Sequence, residues 1–422
     1  MYKFLIKGGK LLNGKVKVSG SKNASLPIIF AAILTEDAVI SNVPDLRDTR
    51  TAISLLKDMG FEAEFDNNKL HVMKGKRIKT EADYELVRTM RASVLTLGPL
   101  LARFGKARVS LPGGCAIGAR PVDLHLKALS KLGADIKIEH GYINAVASNG
   151  LKGAEIVFDF PTVGGTENLL MAAVLAKGKT IIMNAAKEPE IVDLARALKR
   201  AGAIIEGEGT DTIEVEGVDS IGPINYTVMP DRIEAGTFVA CVAAAGGEVI
   251  IEEFPHDVLG AVIDKFKDAG VVIEKIDNKT AFVKSEGKLR GTDITTEVYP
   301  GFPTDMQAQF MAVMCLADGV SVIKETIFEN RFQHVLELQR LGADIKIDGN
   351  TAIVRGVDRL IGAKVMATDL RASASLVVAG LAAENTTEIY RIYHLERGYE
   401  NLEMKLSFLG ADIEKVKSDR PY

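Results

Sequence analysis

Residues 131–138 read KLGADIKI, and the same phrase returns as RLGADIKI at residues 340–347. Leucine and glycine followed by alternating apolar and polar residues indicate the end of an amphipathic helix and the start of a half-buried strand, because glycine readily adopts the left-handed conformation after a helix. Weaker copies extend the series, and successive copies are roughly 70 residues apart. The sequence therefore predicts six αβ units, whose shared glycines are Gly60, Gly133, Gly202, Gly270, Gly342 and Gly410.

A second element recurs at about the same interval, a polar phrase followed by a helix of small apolar residues. Because these helices are apolar almost all round, we expect them to be buried. Six units with six buried helices predict two similar α/β domains, each with three helices inside a ring of sheets. We expect one domain at residues 22–229 and the other at 230–422 together with 1–21. The helical phrases occupy residues 20–34, 89–105, 164–178, 229–247, 302–319 and 368–385.

Composition restricts the possible functions. The 422 residues are 47% hydrophobic and 26% charged, with a net charge of −4, which indicates a globular chain with no overall attraction to nucleic acid. The opening residues resemble neither a signal peptide nor an anchor, and no apolar run is long enough to cross a membrane. Three cysteines without a CxxC pair, and six scattered histidines, predict reduced thiols, no metal site and no cofactor. We expect a cytoplasmic protein that binds small molecules.

Charged residues gather in the polar phrases that precede the buried helices. The N-termini of helices favour anions, so these phrases could form a pocket for a small, multiply charged anion such as a phosphorylated carboxylate. The alternative is that the charges merely cap their helices at the solvent. Asp305 and Asp369 likewise could be capping carboxylates or a working pair of acid and base. The residues concerned are Lys22, Arg91, Arg232, Asp305, Asp369 and Arg371.

One cysteine stands in an unusual context. Cys115 lies within LPGGCAIGARPVD at residues 111–123, a glycine-rich stretch with a proline near each end. Arg120 is five residues further on, and a cationic neighbour can lower the pKa of a thiol, which could then donate a proton or attack a substrate. Cys241 and Cys315, in contrast, lie in apolar helical phrases and fit the role of small buried hydrophobes. His125 and His334 are interpreted as ordinary helix residues.

Several phrases, taken together and in order, resemble the UDP-N-acetylglucosamine 1-carboxyvinyltransferase family, enolpyruvyl transferases related to EPSP synthase. The cysteine stretch distinguishes this family from the shikimate-pathway enzyme. The resemblance implies a two-domain inside-out α/β barrel that transfers the enolpyruvyl group of phosphoenolpyruvate to the sugar 3′-hydroxyl, with loss of phosphate, as the first committed step of peptidoglycan synthesis. The phrases are GSKNA (20–24), LPGGCAIGARPVDLHL (111–126), MPDRIEAGTF (229–238), FPTDMQAQF (302–310), ENRF (329–332), MATDLRASASLVVAG (366–380) and RIYHLERGYE (391–400).

The resemblance also implies roles for individual residues. Cys115 would protonate the methylene carbon of phosphoenolpyruvate, form an adduct with it and react with fosfomycin. Asp305 would take or position the sugar hydroxyl proton, and Asp369 would assist near the intermediate. Lys22 and Arg397 complete the expected catalytic set. Phosphoenolpyruvate is expected to bind its phosphate and carboxylate through Lys22, Asn23, Arg120, Arg331, Arg371 and Arg397.

The same resemblance implies a set of contacts with the sugar nucleotide. Residues 160–163 read FPTV, without the lysine and serine that are frequent in the family, so mainly backbone contacts are expected there. The implied contacts are Asn23, Arg91, Arg120, Pro121, Val122, Asp123, Leu124, Phe160, Thr162, Val163, Gly164, Asp305 and Ile327.

Two other functions are compatible with this fold. An enzyme similar to RNA 3′-phosphate cyclase would need a basic face, which this acidic chain does not indicate. A non-catalytic sensor of the UDP-sugar would be favoured by the loss of Cys115, Lys22 or Asp305, and all three are present.

Overall fold

The computed structural model describes residues 2–88, 90–111, 122–287 and 289–418 of the chain. The described residues divide into two compact units. The middle unit consists of residues 20–111 and 122–229, and the terminal unit consists of residues 2–19 and 230–418. Each unit has its own hydrophobic core.

Each unit contains three sheets of four strands among its described residues. The strands in chain order are β1 (Tyr2–Lys7), β2 (Leu12–Lys17), β3 (Asp37–Ser41), β4 (Glu62–Asp66), β5 (Lys69–Met73), β6 (Glu81–Ala82), β7 (Lys106–Ser110), β8 (Asp135–Glu139), β9 (Tyr142–Val146), β10 (Glu155–Val157), β11 (Lys179–Met183), β12 (Ile204–Glu206), β13 (Thr212–Glu216), β14 (Ile224–Thr227), β15 (Gly247–Glu252), β16 (Val272–Asp277), β17 (Thr280–Ser285), β18 (Ile294–Thr295), β19 (Val320–Lys324), β20 (Asp344–Asp348), β21 (Thr351–Arg355), β22 (Lys364–Met366), β23 (Thr386–Tyr390) and β24 (Asp412–Lys417).

The helices alternate between buried central ones and amphipathic outer ones. Short 3₁₀ helices accompany them at Ala32–Leu34, Arg91–Thr96, His256–Val258 and Ile392–Arg397. The α-helices are α1 (Lys22–Ala31), α2 (Arg47–Asp58), α3 (Tyr84–Val87), α4 (Leu97–Phe104), α5 (Asp123–Lys131), α6 (Val163–Ala173), α7 (Pro189–Arg200), α8 (Arg232–Ala245), α9 (Gly260–Asp268), α10 (Thr304–Met314), α11 (Val335–Arg340), α12 (Leu370–Ala382) and α13 (Leu402–Phe408).

The repeated glycines end six outer helices in the same way. Gly133 has φ +96°, its N–H donates to the Ser130 carbonyl at 2.9 Å, and the next N–H, of Ala134, donates to the Leu129 carbonyl at 3.2 Å. This pair of bonds is a Schellman motif, which satisfies carbonyls that the helix leaves open. The other five glycines have φ between +95° and +105° and the same pair of bonds. The helix-to-strand prediction is therefore confirmed in all six units.

The strand order of the sheets follows one plan, with one parallel pair and two antiparallel pairs in each. The end of the middle unit returns to its beginning, because β14 pairs parallel with β3. In the terminal unit the first residues of the chain fill the equivalent places, since β2 pairs parallel with β15 and β1 lies between β23 and β24. The opening strands therefore belong to sheets of the terminal unit.

The buried helices are present as predicted. Within residues 89–105 the type of helix changes, since a 3₁₀ helix at Arg91–Thr96 precedes α4. The side chain of Asn168 explains the change, because its Oδ1 accepts the Gly98 N–H at 2.6 Å and its Nδ2 donates to the Val94 carbonyl at 3.0 Å. These two backbone groups would bond each other in an α-helix. An amide inserted between them distorts the helix locally.

The remaining large-scale expectations concern membranes and thiols. Within the described ranges, no helix is long and apolar enough to span a bilayer. Cys241 and Cys315 are fully buried in α8 and after α10, and burial raises the pKa of each thiol to about 12. Both cysteines therefore serve as buried hydrophobes, as the sequence predicted.

Candidate active site

The terminal unit holds a carboxylate between two buried guanidinium groups. Arg331 Nη2 donates to Asp305 Oδ1 at 2.9 Å, and Arg371 Nη2 donates to Asp305 Oδ2 at 2.8 Å. The arginine side chains are 4% and 3% exposed, whereas the Asp305 side chain is 26% exposed. The carboxylate therefore forms the accessible end of a buried charged cluster.

The ends of two central helices bring this cluster together. Asp305 lies in the first turn of α10, which follows Pro303, and Arg371 lies in the first turn of α12. Asp369 caps α12, because its Oδ1 accepts the N–H groups of Arg371 at 2.9 Å and Ala372 at 3.1 Å. Of the two roles left open for the acids, Asp369 has the capping role in this structure, and Asp305 has an ion-pairing role instead.

The cluster carries more positive charge than the carboxylate neutralises. Burial alone would lower the pKa of Arg371, but Asp305 and other nearby groups raise it above the ordinary value, so the guanidinium is permanently charged. Arg371 Nε and Arg331 Nη1 are buried and have no hydrogen-bond partner among the described residues. Buried donors of this kind are rare and are expected where a ligand completes the bonding.

His334, which the sequence indicated as an ordinary helix residue, adjoins the same cluster. It directly precedes α11, is 1% exposed, and interacts electrostatically with Asp369 and Arg331. Burial lowers the pKa of the ring to about 4, so His334 is neutral at physiological pH. The sequence offered no signal for this position, because a single histidine beside a helix is usually unremarkable.

The other site residues proposed in the terminal unit lie in irregular segments. Arg397 ends the 3₁₀ helix Ile392–Arg397. Ile327 follows β19, and its N–H donates to Glu325 Oε1 at 2.9 Å. Glu325 is buried and also accepts hydrogen bonds from Thr296 and Thr304, so a buried carboxylate fixes the loop that carries Ile327.

In the middle unit, the first turn of α1 presents Lys22 and Asn23. The side chain of Ser21 caps this helix by accepting the Ala24 N–H at 3.2 Å. Lys22 Nζ lies 3.2 Å from Asp48 Oδ2, and Asp48 is nearly fully buried. The ion pair holds an ammonium group at the N-terminal end of a buried helix, where an anion is favoured.

The segments expected to bind the sugar nucleotide lie side by side in the middle unit. Lys127 Nζ is 3.6 Å from an oxygen of Asp123 and 3.7 Å from one of Asp159, which links residues 122–124 with residues 160–164. An added Cβ on Gly164 would lie 3.2 Å from His125 Cε1, so the backbone of Gly164 lies close to the His125 ring.

Individual positions in these segments differ in what they offer a ligand. Phe160 and Val163 are exposed, Thr162 caps α6, and the Leu124 side chain is buried in the core. Leu124 therefore offers little accessible surface to a ligand. Burial, and then the charge of Arg91, lower the pKa of His125 to about 4, which places Arg91 near the same segments.

Three of the sequence-predicted residues are not part of this geometry. Cys115, Arg120 and Pro121 lie outside the described residues. Across the ranges that the structure does describe, no group of three or more histidine, cysteine or acidic residues is placed to hold a metal ion.

A protein-family comparison agrees with these features over nearly the whole chain. The model of EPSP synthase (3-phosphoshikimate 1-carboxyvinyltransferase) matches residues 6–406. UDP-N-acetylglucosamine 1-carboxyvinyltransferase of Geotalea uraniireducens is 60% identical over 99% of this chain and 100% of its own length. The corresponding protein of Desulfovibrio desulfuricans is 58% identical over the same shares. The chain belongs to the UDP-N-acetylglucosamine 1-carboxyvinyltransferase family.

Solved structures of other enolpyruvyl transferases have the same fold. NikO from Streptomyces tendae superposes with a TM-score of 0.88 at 24% identity, over 99% of both chains. EPSP synthase from Acinetobacter baumannii gives a TM-score of 0.75 at 20% identity, over 99% of this chain and 100% of its own. The predicted inside-out α/β fold is therefore confirmed.

Two groups of buried polar residues in this family member were missed from the sequence. Glu167 of α6 is buried, and burial, followed by Glu190 and Glu188, raises the pKa of its carboxyl well above the ordinary value. Thr237 and Gln309 are fully buried in α8 and α10. The sequence did contain a signal for these residues, because each is a polar residue within an otherwise apolar helical phrase. Nothing in the phrases, however, showed what these side chains contact.

Proposed function

We propose that this chain transfers the enolpyruvyl group of phosphoenolpyruvate to the 3′-hydroxyl of UDP-N-acetylglucosamine and releases phosphate. This is the first committed step of peptidoglycan synthesis, and we assign it to the cytoplasm. The observation that carries the proposal is the Asp305 carboxylate held by Arg331 and Arg371, with buried donors left over for an anion. The family membership supports the same reaction.

The charged groups suit the two acidic ends of phosphoenolpyruvate. We assign its phosphate to Lys22, Arg120 and Arg397, and its carboxylate to Arg331 and Arg371. Arginine binds such groups through paired N–H donors, and lysine provides a compact positive charge. Asn23 completes the proposed set.

We assign the chemical step to Asp305 as base and Cys115 as acid. The sugar hydroxyl oxygen bonds to C2 of phosphoenolpyruvate while Asp305 takes or positions its proton, and the methylene carbon gains a proton from the thiol of Cys115. Loss of phosphate from the tetrahedral intermediate, and of one proton from the new methyl group, then restores the carbon–carbon double bond. Asp369 is assigned a supporting role near that intermediate.

The sugar nucleotide is assigned to the middle unit. Arg91 provides a cation near residues 122–124 and 160–164, which lie side by side. Arg120 and Pro121 extend this surface, and Asp305 and Ile327 provide contacts from the terminal unit. Exposed backbone at residues 160–164 is suited to hydrogen bonds with a uracil ring.

Phosphate release tests the proposed reaction directly. The purified protein is mixed with phosphoenolpyruvate and UDP-N-acetylglucosamine, and each substrate is omitted in turn. Release that needs both substrates, with a UV-absorbing product heavier by one enolpyruvyl group, is the expected result. Absence of release with retained UDP-sugar binding would overturn the proposal in favour of a sensor.

The thiol assignment has its own test. Fosfomycin should alkylate the wild-type protein at Cys115, as detected by intact mass. The Cys115→Asp variant retains an acid for proton donation and should keep turnover without being alkylated. Labelling that persists in the variant would show that another group reacts.

A further inference from the structure

A buried tyrosine stands directly behind the proposed carboxylate-binding arginine. Tyr399 is 3% exposed, and Arg371 Nη1 donates to its hydroxyl oxygen at 3.1 Å. The same guanidinium holds Asp305 through Nη2 at 2.8 Å. Arg371 is therefore fixed at two nitrogens, one on a carboxylate and the other on a neutral hydroxyl.

The hydroxyl of Tyr399 connects all three central helices of the terminal unit. Gln309 of α10 donates to it through Nε2 at 3.1 Å, and the Oγ1 atom of Thr237, in α8, lies 2.9 Å away. Arg371 supplies the contact from α12. This single oxygen thus has three hydrogen-bond partners, one from each central helix, and any partner that moved away would be left buried and unpaired.

The direction of each hydrogen bond follows from counting donors. Thr237 has one hydroxyl proton, and it is donated to the Ile233 carbonyl at 2.7 Å. Thr237 must then accept from Tyr399, whose own two lone pairs accept from Arg371 and Gln309. Burial raises the pKa of Tyr399, so its proton is present at physiological pH. The chain of bonds therefore runs from Arg371 to Tyr399, then to Thr237 and the helix backbone.

Local backbone geometry keeps the tyrosine in this place. Tyr399 follows Gly398, and a Cβ added to Gly398 would lie 2.6 Å from Leu370 Cδ2. A side chain at position 398 would therefore force Leu370, the first residue of α12, to move. Gln309 Nε2 also lies 2.9 Å from the backbone oxygen of Asp305, so the same network contacts both members of the ion pair.

We propose that Tyr399 is a positioning residue for the reaction, and that its hydroxyl holds Arg371 in the orientation that binds the phosphoenolpyruvate carboxylate. This inference rests on the proposed function. Without the hydroxyl, Arg371 keeps its bond to Asp305 but can rotate about it, because Nη1 loses its acceptor. The guanidinium plane would then no longer be preset for a planar carboxylate.

The Tyr399→Phe variant removes only the hydroxyl. We expect kcat/KM for phosphoenolpyruvate to fall by about 10–100-fold, as is typical when a group that orients a ligand-binding residue is removed. The dissociation constant for UDP-N-acetylglucosamine alone should stay within about twofold, because its proposed contacts lie mainly in the middle unit. Steady-state kinetics and calorimetric titration measure the two quantities. An unchanged kcat/KM for phosphoenolpyruvate, or an equal loss in both quantities, would overturn the proposal.

Tyr226→Phe is the matched control. Tyr226 is also buried, and its hydroxyl donates to a carboxylate oxygen of Asp193 at 2.6 Å, in the middle unit. This variant should lower thermal stability but leave kcat/KM within about twofold of wild type. If it lost as much activity as Tyr399→Phe, the loss would reflect general damage to buried tyrosines, and the proposal would fail.

Two further comparisons separate positioning from folding. Thr237→Val removes the acceptor for the Tyr399 proton and should reduce kcat/KM in the same direction, whereas Thr237→Ser retains the acceptor and should restore it.

Arg371→Lys should make the added Tyr399→Phe change nearly silent, because the hydroxyl acts through the guanidinium. If the fold-loss of kcat/KM in the double variant equalled the product of the two single losses, the proposal would be overturned. The wild-type rate in the same assay reports on the proposed function independently, since an inactive wild type would refute that function and not the network.

Discussion

The middle and terminal units both have polar side chains at the same position of their central helices, but these side chains contact different groups in the two units. Asn168, Gln309 and Thr237 each stand six residues after the N-cap residue of a buried helix, and these N-cap residues are Thr162, Pro303 and Asp231. In the middle unit, the Asn168 amide replaces a helical hydrogen bond between Gly98 and Val94. In the terminal unit, the equivalent side chains surround Tyr399, behind Arg371.

The comparison shows how a repeated fold acquires a specific site. In the middle unit, the neutral Asn168 amide is sufficient to satisfy the two backbone groups that it contacts. In the terminal unit, two arginines and one carboxylate lie near the ends of the central helices. There the polar side chains of these helices contact the Tyr399 hydroxyl, which also accepts a hydrogen bond from Arg371. The unit with this buried cluster of charged groups is the one we expect to contribute most to chemistry.

The largest expected effect is that of Asp305→Asn on turnover. The change removes the negative charge between Arg331 and Arg371, and kcat/KM should fall by about 10²–10⁴-fold, the range for loss of a proton-accepting group. Phosphate release measures it. Asp193→Asn is the control from the middle unit, where a buried carboxylate accepts from Tyr226 and from the Met229 N–H. Equal losses in both variants would remove the functional distinction between the units.

The next effect concerns the stability of the middle unit. Asn168→Ala would leave the Gly98 N–H and the Val94 carbonyl without the amide that joins them, and we expect the free energy of unfolding to fall by about 3 kcal/mol. Denaturant unfolding measures this change. A loss below about 1 kcal/mol would mean that the 3₁₀ segment closes into an ordinary helix when the amide is removed.

A smaller effect is expected from the buried acid of α6, with a defined pH dependence. Because burial and then Glu190 and Glu188 raise the pKa of Glu167, folding favours its protonated form. This contribution to folding stability is fully present at a pH below 4.5, the pKa of the carboxyl in the unfolded chain. It is lost as the pH rises through the higher pKa of the folded protein. Glu167→Gln should therefore match wild type at pH 4 and be more stable by about 1–3 kcal/mol at pH 8. Equal stability of the two proteins at both pH values would contradict this.

The smallest effect tests whether the two scaffolds are equivalent. Gly133 and Gly342 both have φ +96°, and a Cβ added to either would meet no atom within 4 Å. Replacement of either glycine by alanine should therefore lower the free energy of unfolding by the same amount, about 1 kcal/mol, from the left-handed conformation alone. Thermal unfolding of the two variants measures it. Unequal values would show that the two turns contribute differently to the stability of their units.

The regular parts of the fold could be predicted because they depend on neighbours in the chain. Gly60, Gly202 and Gly410 mark helix ends through their own backbone conformation, and the apolar helices show their burial by composition. The 3₁₀ segment at residues 91–96 could not be predicted, because Asn168 comes from a different repeat. No local pattern shows that a side chain far along the chain will enter a helix.

The sequence by itself determined the six αβ units, the buried central helices, the inert cysteines and, through its resemblance, the family and reaction. Tertiary structure alone decided that Asp305 pairs with two arginines while Asp369 caps α12, since both acids precede similar apolar runs. It also decided that His334 and Tyr399 stand behind the same cluster. The physical reason is that helix ends and burial follow from short-range periodicity, whereas ion pairs and shared hydroxyls depend on which distant helices pack together.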